Sequence, residues 1–182
     1  PGLVDYGTDE VVIRAISGVE VTVDALKYSH RPPDGYGLSV QVANLKRNIV
    51  LAWERPTPVT ERPHLMFMHN PNVVVENVGV FGFGRTDKSK PINSPITVDG
   101  APIPNVRARY AMHFHHTGVN PLGRQASVRG SVVYLSPGWG FVNHQSNVAM
   151  ENNFAYEVFG AAFVTEDGNE IGVMRGNLSI NS

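Results

Sequence analysis

Ionisable side chains crowd into three short stretches of this sequence: Arg109-Tyr-Ala-Met-His-Phe-His-His-Thr-Gly118, Phe141-Val-Asn-His-Gln-Ser-Asn147 and Phe163-Val-Thr-Glu-Asp-Gly-Asn-Glu170. His113 and His115 stand at i and i+2, so on an extended strand both imidazoles leave from one face. Tyr110, Met112 and Phe114 then take the other face, the one expected to enter the core. A third imidazole, His144, brought alongside would complete a donor set for zinc or another imidazole-preferring divalent ion. His144 beside Glu166 or Asp167 would equally be a proton-transfer pair, because imidazole titrates near neutrality. Adjacent residues 166 and 167 point to opposite sides of a regular strand. They reach the carboxylate spacing of glycosidases, about 5–9.5 Å, only across a turn. The third reading is a hydrogen-bonded ladder of His, Asn and Glu on the outside of a repeating fold. Sequence alone leaves all three open.

The elements that must position these groups are strands. Apolar residues alternate or run in threes and fours, rich in Val and Ile, and are interrupted by 18 Gly and 13 Pro. Strands are expected at 10–16, 20–23, 40–42, 48–53, 65–68, 73–75, 79–81, 110–114, 131–134, 140–142, 154–156, 161–164, 171–174 and 178–180. Residues 128–147, moved forward by 22, fall on 150–169 without a gap, matching Tyr134 to Tyr156, Phe141 to Phe163 and Asn147 to Asn169. Such a period announces a solenoid. The expected fold is all-β, a right-handed parallel β-helix with coils of about 22–27 residues. Equivalent positions on successive coils lie about 4.8 Å apart. His144 should therefore lie beside Glu166, and Gln145 beside Asp167. Aligning Gly118 with Ser146 sets His116 over His144, whereas a one-residue bulge sets His115 there. Asn77, Asn153 and Asn177 follow apolar stretches and read as an Asn ladder at a turn. A stretch near 86–105 reads as a loop extruded from the coil, and 31–37 and 55–63 as shorter insertions. A β-sandwich fits less well, because the Asp-Gly pairs do not bracket hairpins, and a propeller needs a longer period.

Composition sets the outer limits. The 182 residues suit one domain spanning 1–182, and 42% hydrophobic content with 17% charge suits an ordered core. A net charge of −1 with dispersed basic residues points away from nucleic acid. No apolar run approaches the roughly 20 residues that span a bilayer. The absence of cysteine excludes disulfides, thiolate metal sites and cysteine nucleophiles. The chain opens at Pro1 without an initiator methionine and is expected to be part of a longer protein. A neighbouring domain or subunit is expected to cover an open β-helix end.

The three motifs together resemble the β-helix region of the cell-migration-inducing hyaluronidase and transmembrane protein 2 family, most closely over residues 105–172. In that family the region follows a G8 domain. Gly often stands where this chain has Ala108. The resemblance implies a right-handed parallel β-helix, an extracellular or cell-surface setting, and handling of hyaluronan or a related glycan by a hydrolase or lyase. From the alternation and the repeat register given above, His144, Glu166 and Asp167 are the candidate catalytic groups, and His113, His115 and His144 the candidate metal ligands. An acidic polysaccharide would need guanidinium partners, for which Arg85, Arg107 and Arg109, with Asp87 nearby, are candidates. Trp139 could stack on a sugar ring or plug the core. The competing function is a non-catalytic structural or adhesive solenoid. Gly82-Phe-Gly84 is not a nucleotide loop, since no helix pattern follows it.

Overall fold

A computed structural model describes residues 7–32, 34–37, 39–54, 58–92 and 105–182. The chain divides into two compact units, one reaching to Ala43 and one spanning Asn44–Ile180. In the first unit, β1 (Ile13–Ser17) and β2 (Glu20–Val23) form an antiparallel hairpin about a turn at Gly18 and Val19. Asp24 ties it by accepting from Arg14 Nε at 2.6 Å and from the Val12 amide at 3.1 Å. The expected strand at 40–42 does not form, and those residues have no regular structure.

The second unit is a parallel β-solenoid of about four turns. In chain order its strands are β3 (Ile49–Ala52), β4 (Leu65–Met68), β5 (Val74–Glu76), β6 (Val78–Phe81), β7 (Met112–Gly118), β8 (Ala126–Arg129), β9 (Val132–Ser136) and β10 (Phe141–Glu151). They continue with β11 (Phe154–Val158), β12 (Phe163–Thr165), β13 (Ile171–Arg175) and β14 (Leu178–Ile180). Three parallel stacks result: β4–β7–β10–β12, β5–β8–β10–β13 and β3–β6–β9–β11–β14. The long β10 bends through two stacks. Inward-facing residues fill the interior, with Phe67 on Phe114 at 5.1 Å and Phe141 on Phe163 at 5.0 Å. Val80, Val128, Val133 and Met150 complete this core.

Single residues in the left-handed backbone region make the corners. One column is His69, His116 and Gln145, a second Asn77, Gly130, Asn152 and Gly176, and a third Gly82, Leu135, Glu157 and Asn181. A Cβ at Gly130 would lie 2.4 Å from Asn77 Oδ1, and one at Gly176 2.3 Å from Asn152 Oδ1. Asn and Gly therefore alternate up the second corner, because each Asn amide needs a glycine above it.

The expected offset of 22 holds from Val128↔Met150 to Asn143↔Thr165. It then grows to 24, so Asn147 meets Ile171 rather than Asn169. The extra residues lie in a turn at 166–170. There Glu170 accepts backbone amides from Gln145, Glu166, Asp167 and Gly168 at 2.7–3.2 Å. Burial alone would raise this carboxyl's pKa, but those amides outweigh it and hold the group below the usual range. The strand β8 and the second half of β10 were not expected, because buried polar residues, Ser127 in the one and Ser146 and Asn147 in the other, break up or precede their short apolar stretches. The expected loop leaves the coil after β6. Its base is closed by Asn105, which bonds the Asp87 amide and the carbonyls of Asp87 and Pro91. Most of that loop, 93–104, lies outside the described residues.

Candidate functional site

The site is built on the outer face of β4–β7–β10–β12. Register sets Met66, His113, Val142 and Val164 in one column and Met68, His115 and His144 in the next. A bulge between His144 and Ser146 makes His115, rather than His116, the strand partner of His144, although the His116 ring also lies 4.8 Å from that of His144. The Glu166 amide donates to Asn143 O at 3.0 Å, which lays Glu166 beside His144 as expected.

His113 points outward from the sheet and is nevertheless fully buried. The cover comes from Tyr110, which was expected in the core. It precedes the regular part of β7 and packs instead with Val142, Val164, Ala108 and Trp139 on the outer side. The Tyr110 ring lies 5.3 Å from His113 and 4.7 Å from Trp139, and its hydroxyl donates to Glu166 Oε1 at 3.2 Å. Burial and the Glu166 carboxylate both raise the phenol pKa, keeping Tyr110 a donor. Lys88 closes the roof, its Nζ 3.4 Å from the Trp139 ring centroid and 5.4 Å from that of Tyr110. Burial lowers the Lys88 pKa, opposed by Glu166. A Cβ at Gly138 would meet Thr86 O at 2.3 Å, so only glycine lets the loop base rest there.

Within this enclosure the imidazoles converge. Ring centroids lie 4.9 Å apart for His113 and His115, 4.6 Å for His115 and His144, and 5.7 Å for His113 and His144. One ring nitrogen from each falls within 4.8 Å of the others, so the three could hold a metal ion. Burial pushes the His113 pKa down to about 3, with the Ala108 carbonyl opposing. Burial, helped by neighbouring His116 and His144, pushes His115 down to about 4. Both are neutral imidazoles at pH 7. Glu166 Oε2 lies 3.7 Å from His113 Nε2 and 3.4 Å from His144 Nδ1, while Asp167 Oδ2 lies 3.4 Å from His144 Nε2. The turn at 166–170 thus sends adjacent carboxylates to opposite nitrogens of one ring. Asp167 Oδ2 also accepts from Gln145 Nε2.

The arginines border the cluster. The charge of Arg109 acts on His113, His115 and His64, that of Arg85 on His64, and that of Arg107 on Tyr110 and Lys88. None forms an ion pair with a described carboxylate. Asp87 is buried, pairs with Lys90 at 3.2 Å and bonds Ser89, so it serves the loop base. Trp139, carrying Lys88 and Tyr110, forms a wall of the enclosure.

Sequence reasoning missed Tyr110, Lys88 and the Ala108 carbonyl as parts of the site, and also His69 at its corner. Residues 85–92 reach the cluster from an inserted loop whose folding back no periodicity announces. The Glu170 clasp had a signal in the carboxylate closing an Asp-Gly-Asn turn.

The second unit is thus a parallel β-solenoid protein with an enclosed face of three histidines edged by two carboxylates. Residues 102–182, which carry His113, His115, His144, Glu166 and Asp167, match the family model for the CEMIP beta-helix, so the resemblance drawn from the three motifs is borne out for that stretch. No curated protein and no solved structure matches the chain.

Proposed function

We propose that this chain binds an acidic polysaccharide across the arginine-bordered face and cleaves it at Asp167. The observation that carries the reading is His144 held between two carboxylates, Glu166 inside and Asp167 at the surface, beside three arginines without a described carboxylate partner. Guanidinium groups clamp uronate carboxylates in a bidentate manner that lysine cannot copy. The family match, to a hyaluronidase-like β-helix, supports the same substrate class. Asp167, the exposed member of the pair, gives its proton to the glycosidic oxygen as the bond from that oxygen to the anomeric carbon breaks, water adds to that carbon and its proton restores Asp167, while His144 orients the carboxyl from behind. Glu166 faces the imidazoles. An extracellular or cell-surface setting belongs to the same proposal.

The test is incubation with hyaluronan, chondroitin sulfate and polygalacturonate, followed by sizing of the products and retention on the immobilised glycans. At least one polymer is expected to shorten. Asp167→Asn should abolish shortening and keep retention, whereas the double variant Arg107→Ala/Arg109→Ala should lose retention. Neither shortening nor retention of any of the three polymers would overturn the reading.

A further inference from the structure

His113 Nε2, His115 Nδ1, His144 Nδ1 and Glu166 Oε2 are all buried without a hydrogen-bond partner. Leaving one such atom unpaired costs about 1–3 kcal/mol, and folded proteins pair nearly all of them. They lie together: Oε2 is 3.7 Å from His113 Nε2 and 3.4 Å from His144 Nδ1, and one nitrogen of each of the three rings falls within 4.8 Å of the others.

Three of the four are also aimed from behind. His113 Nδ1 donates to Ala108 O at 3.2 Å, which leaves Nε2 as the acceptor facing the cluster. Glu166 is held through its other oxygen by Tyr110, and His144 Nε2 faces Asp167 Oδ2. Histidines that bind metals have their second nitrogen held by a carbonyl or carboxylate in this way. We infer that these four atoms are the ligands of a single divalent transition-metal ion of the zinc type, bound by three imidazoles and one carboxylate oxygen.

The donor set selects the ion. Calcium and magnesium require six or more oxygens, and a thiolate site is excluded by the lack of cysteine. Tetrahedral zinc at 2.0–2.1 Å places its ligands about 3.4 Å apart. The ring nitrogens span up to 4.8 Å, so half-buried His115 and His144 close by about 1 Å onto fixed His113. The inference rests on the same cluster as the glycan reading, but metal uptake is measured with no glycan present, so either can fail alone.

The chain is stripped with a chelator, dialysed and given zinc or cobalt(II), with metal content measured by mass spectrometry. One ion per chain is expected, with the intense visible bands of four-coordinate cobalt, abolished when zinc displaces it. Asp167→Asn should weaken binding within the roughly 10–100-fold range of an outer partner, and His115→Ala should exceed it. His30→Ala, in the first unit, should change nothing. A chain that takes up no stoichiometric metal, the weak spectrum of six-coordinate cobalt, or His115→Ala binding as tightly as the unaltered chain would each overturn the assignment. The spectrum of the unaltered chain decides the matter even if a variant misfolds.

Discussion

The main chain at Ala108 passes through the left-handed region, φ 64°, and its carbonyl receives His113 Nδ1. That conformation costs an L-residue about 1–2 kcal/mol, which glycine avoids. It explains why glycine suits this position in the family the chain resembles. Ala108→Gly should raise the free energy of unfolding by about 1 kcal/mol, after glycine's extra chain entropy is deducted, read from a urea midpoint. A lowered midpoint would count against the strain. His64 offers a pH readout away from the three imidazoles. Burial, with the charges of Arg85 and Arg109, lowers its pKa from 6.5 to about 4. The unfolded chain therefore binds the extra proton between those values. The stability contributed by neutral His64 is complete above pH 6.5 and falls as pH drops towards 4. The imidazole resonances of His64 should stay those of the neutral ring at pH 5.5, and His64→Gln should flatten the acid limb of the urea midpoint. A His64 titration near 6.5 would contradict this.

At the scale of elements, the Asn ladder is the support the coils share. Asn153 is fully buried, accepts the Ser131 amide at 3.0 Å and donates to Val128 O at 3.0 Å, while its own amide donates to Asn177 Oδ1. Asn177 repeats the pattern by donating to Met150 O at 2.8 Å, and Ser131 takes the place of Asn one coil earlier. Asn153→Ala strands a buried amide and a carbonyl and should cost about 2–3 kcal/mol. Exchange of the Ser131 amide should accelerate in step. A loss under half a kcal/mol would mean water replaces the side chain. For Asn153 and Asn177 the ladder was legible in the sequence because Asn recurs at turns about one coil apart, whereas Asn77 stands one position earlier, in the corner column with Gly130 and Asn152. The register of His144 with Glu166 was legible because the repeat runs gapless through Asn143. The two-residue widening at 166–170 was not, since Glu170 secures it through backbone amides that no repeat records. The placement of Tyr110 was equally hidden, because alternation predicts a face only within a strand and Tyr110 stands before one.

For the whole second unit, the groups of the candidate site and their supports divide unevenly along the chain. His113, His115, His144, Glu166 and Asp167 all fall within 102–182, the stretch matched by the family model. The earlier coil brings the roof, Lys88, and the flanking Arg85. Between them the chain makes its long excursion from β6 to β7. Both feet of that excursion are fastened by Asn105, with Thr86 Oγ1 further donating to Val106 O at 2.6 Å and accepting the Arg109 amide. Fastened in this way, the feet should hold the coil whatever passes between them. A folded guest domain spliced between 93 and 104 should leave the unfolding midpoint nearly unchanged, since doubling a loop costs only about 0.6 kcal/mol. A large loss would show that the excursion braces the coil. As engineering, the clasp is a port whose feet flank the enclosure, through which a lectin or a fluorophore-binding domain could be joined to the solenoid without rewriting any strand.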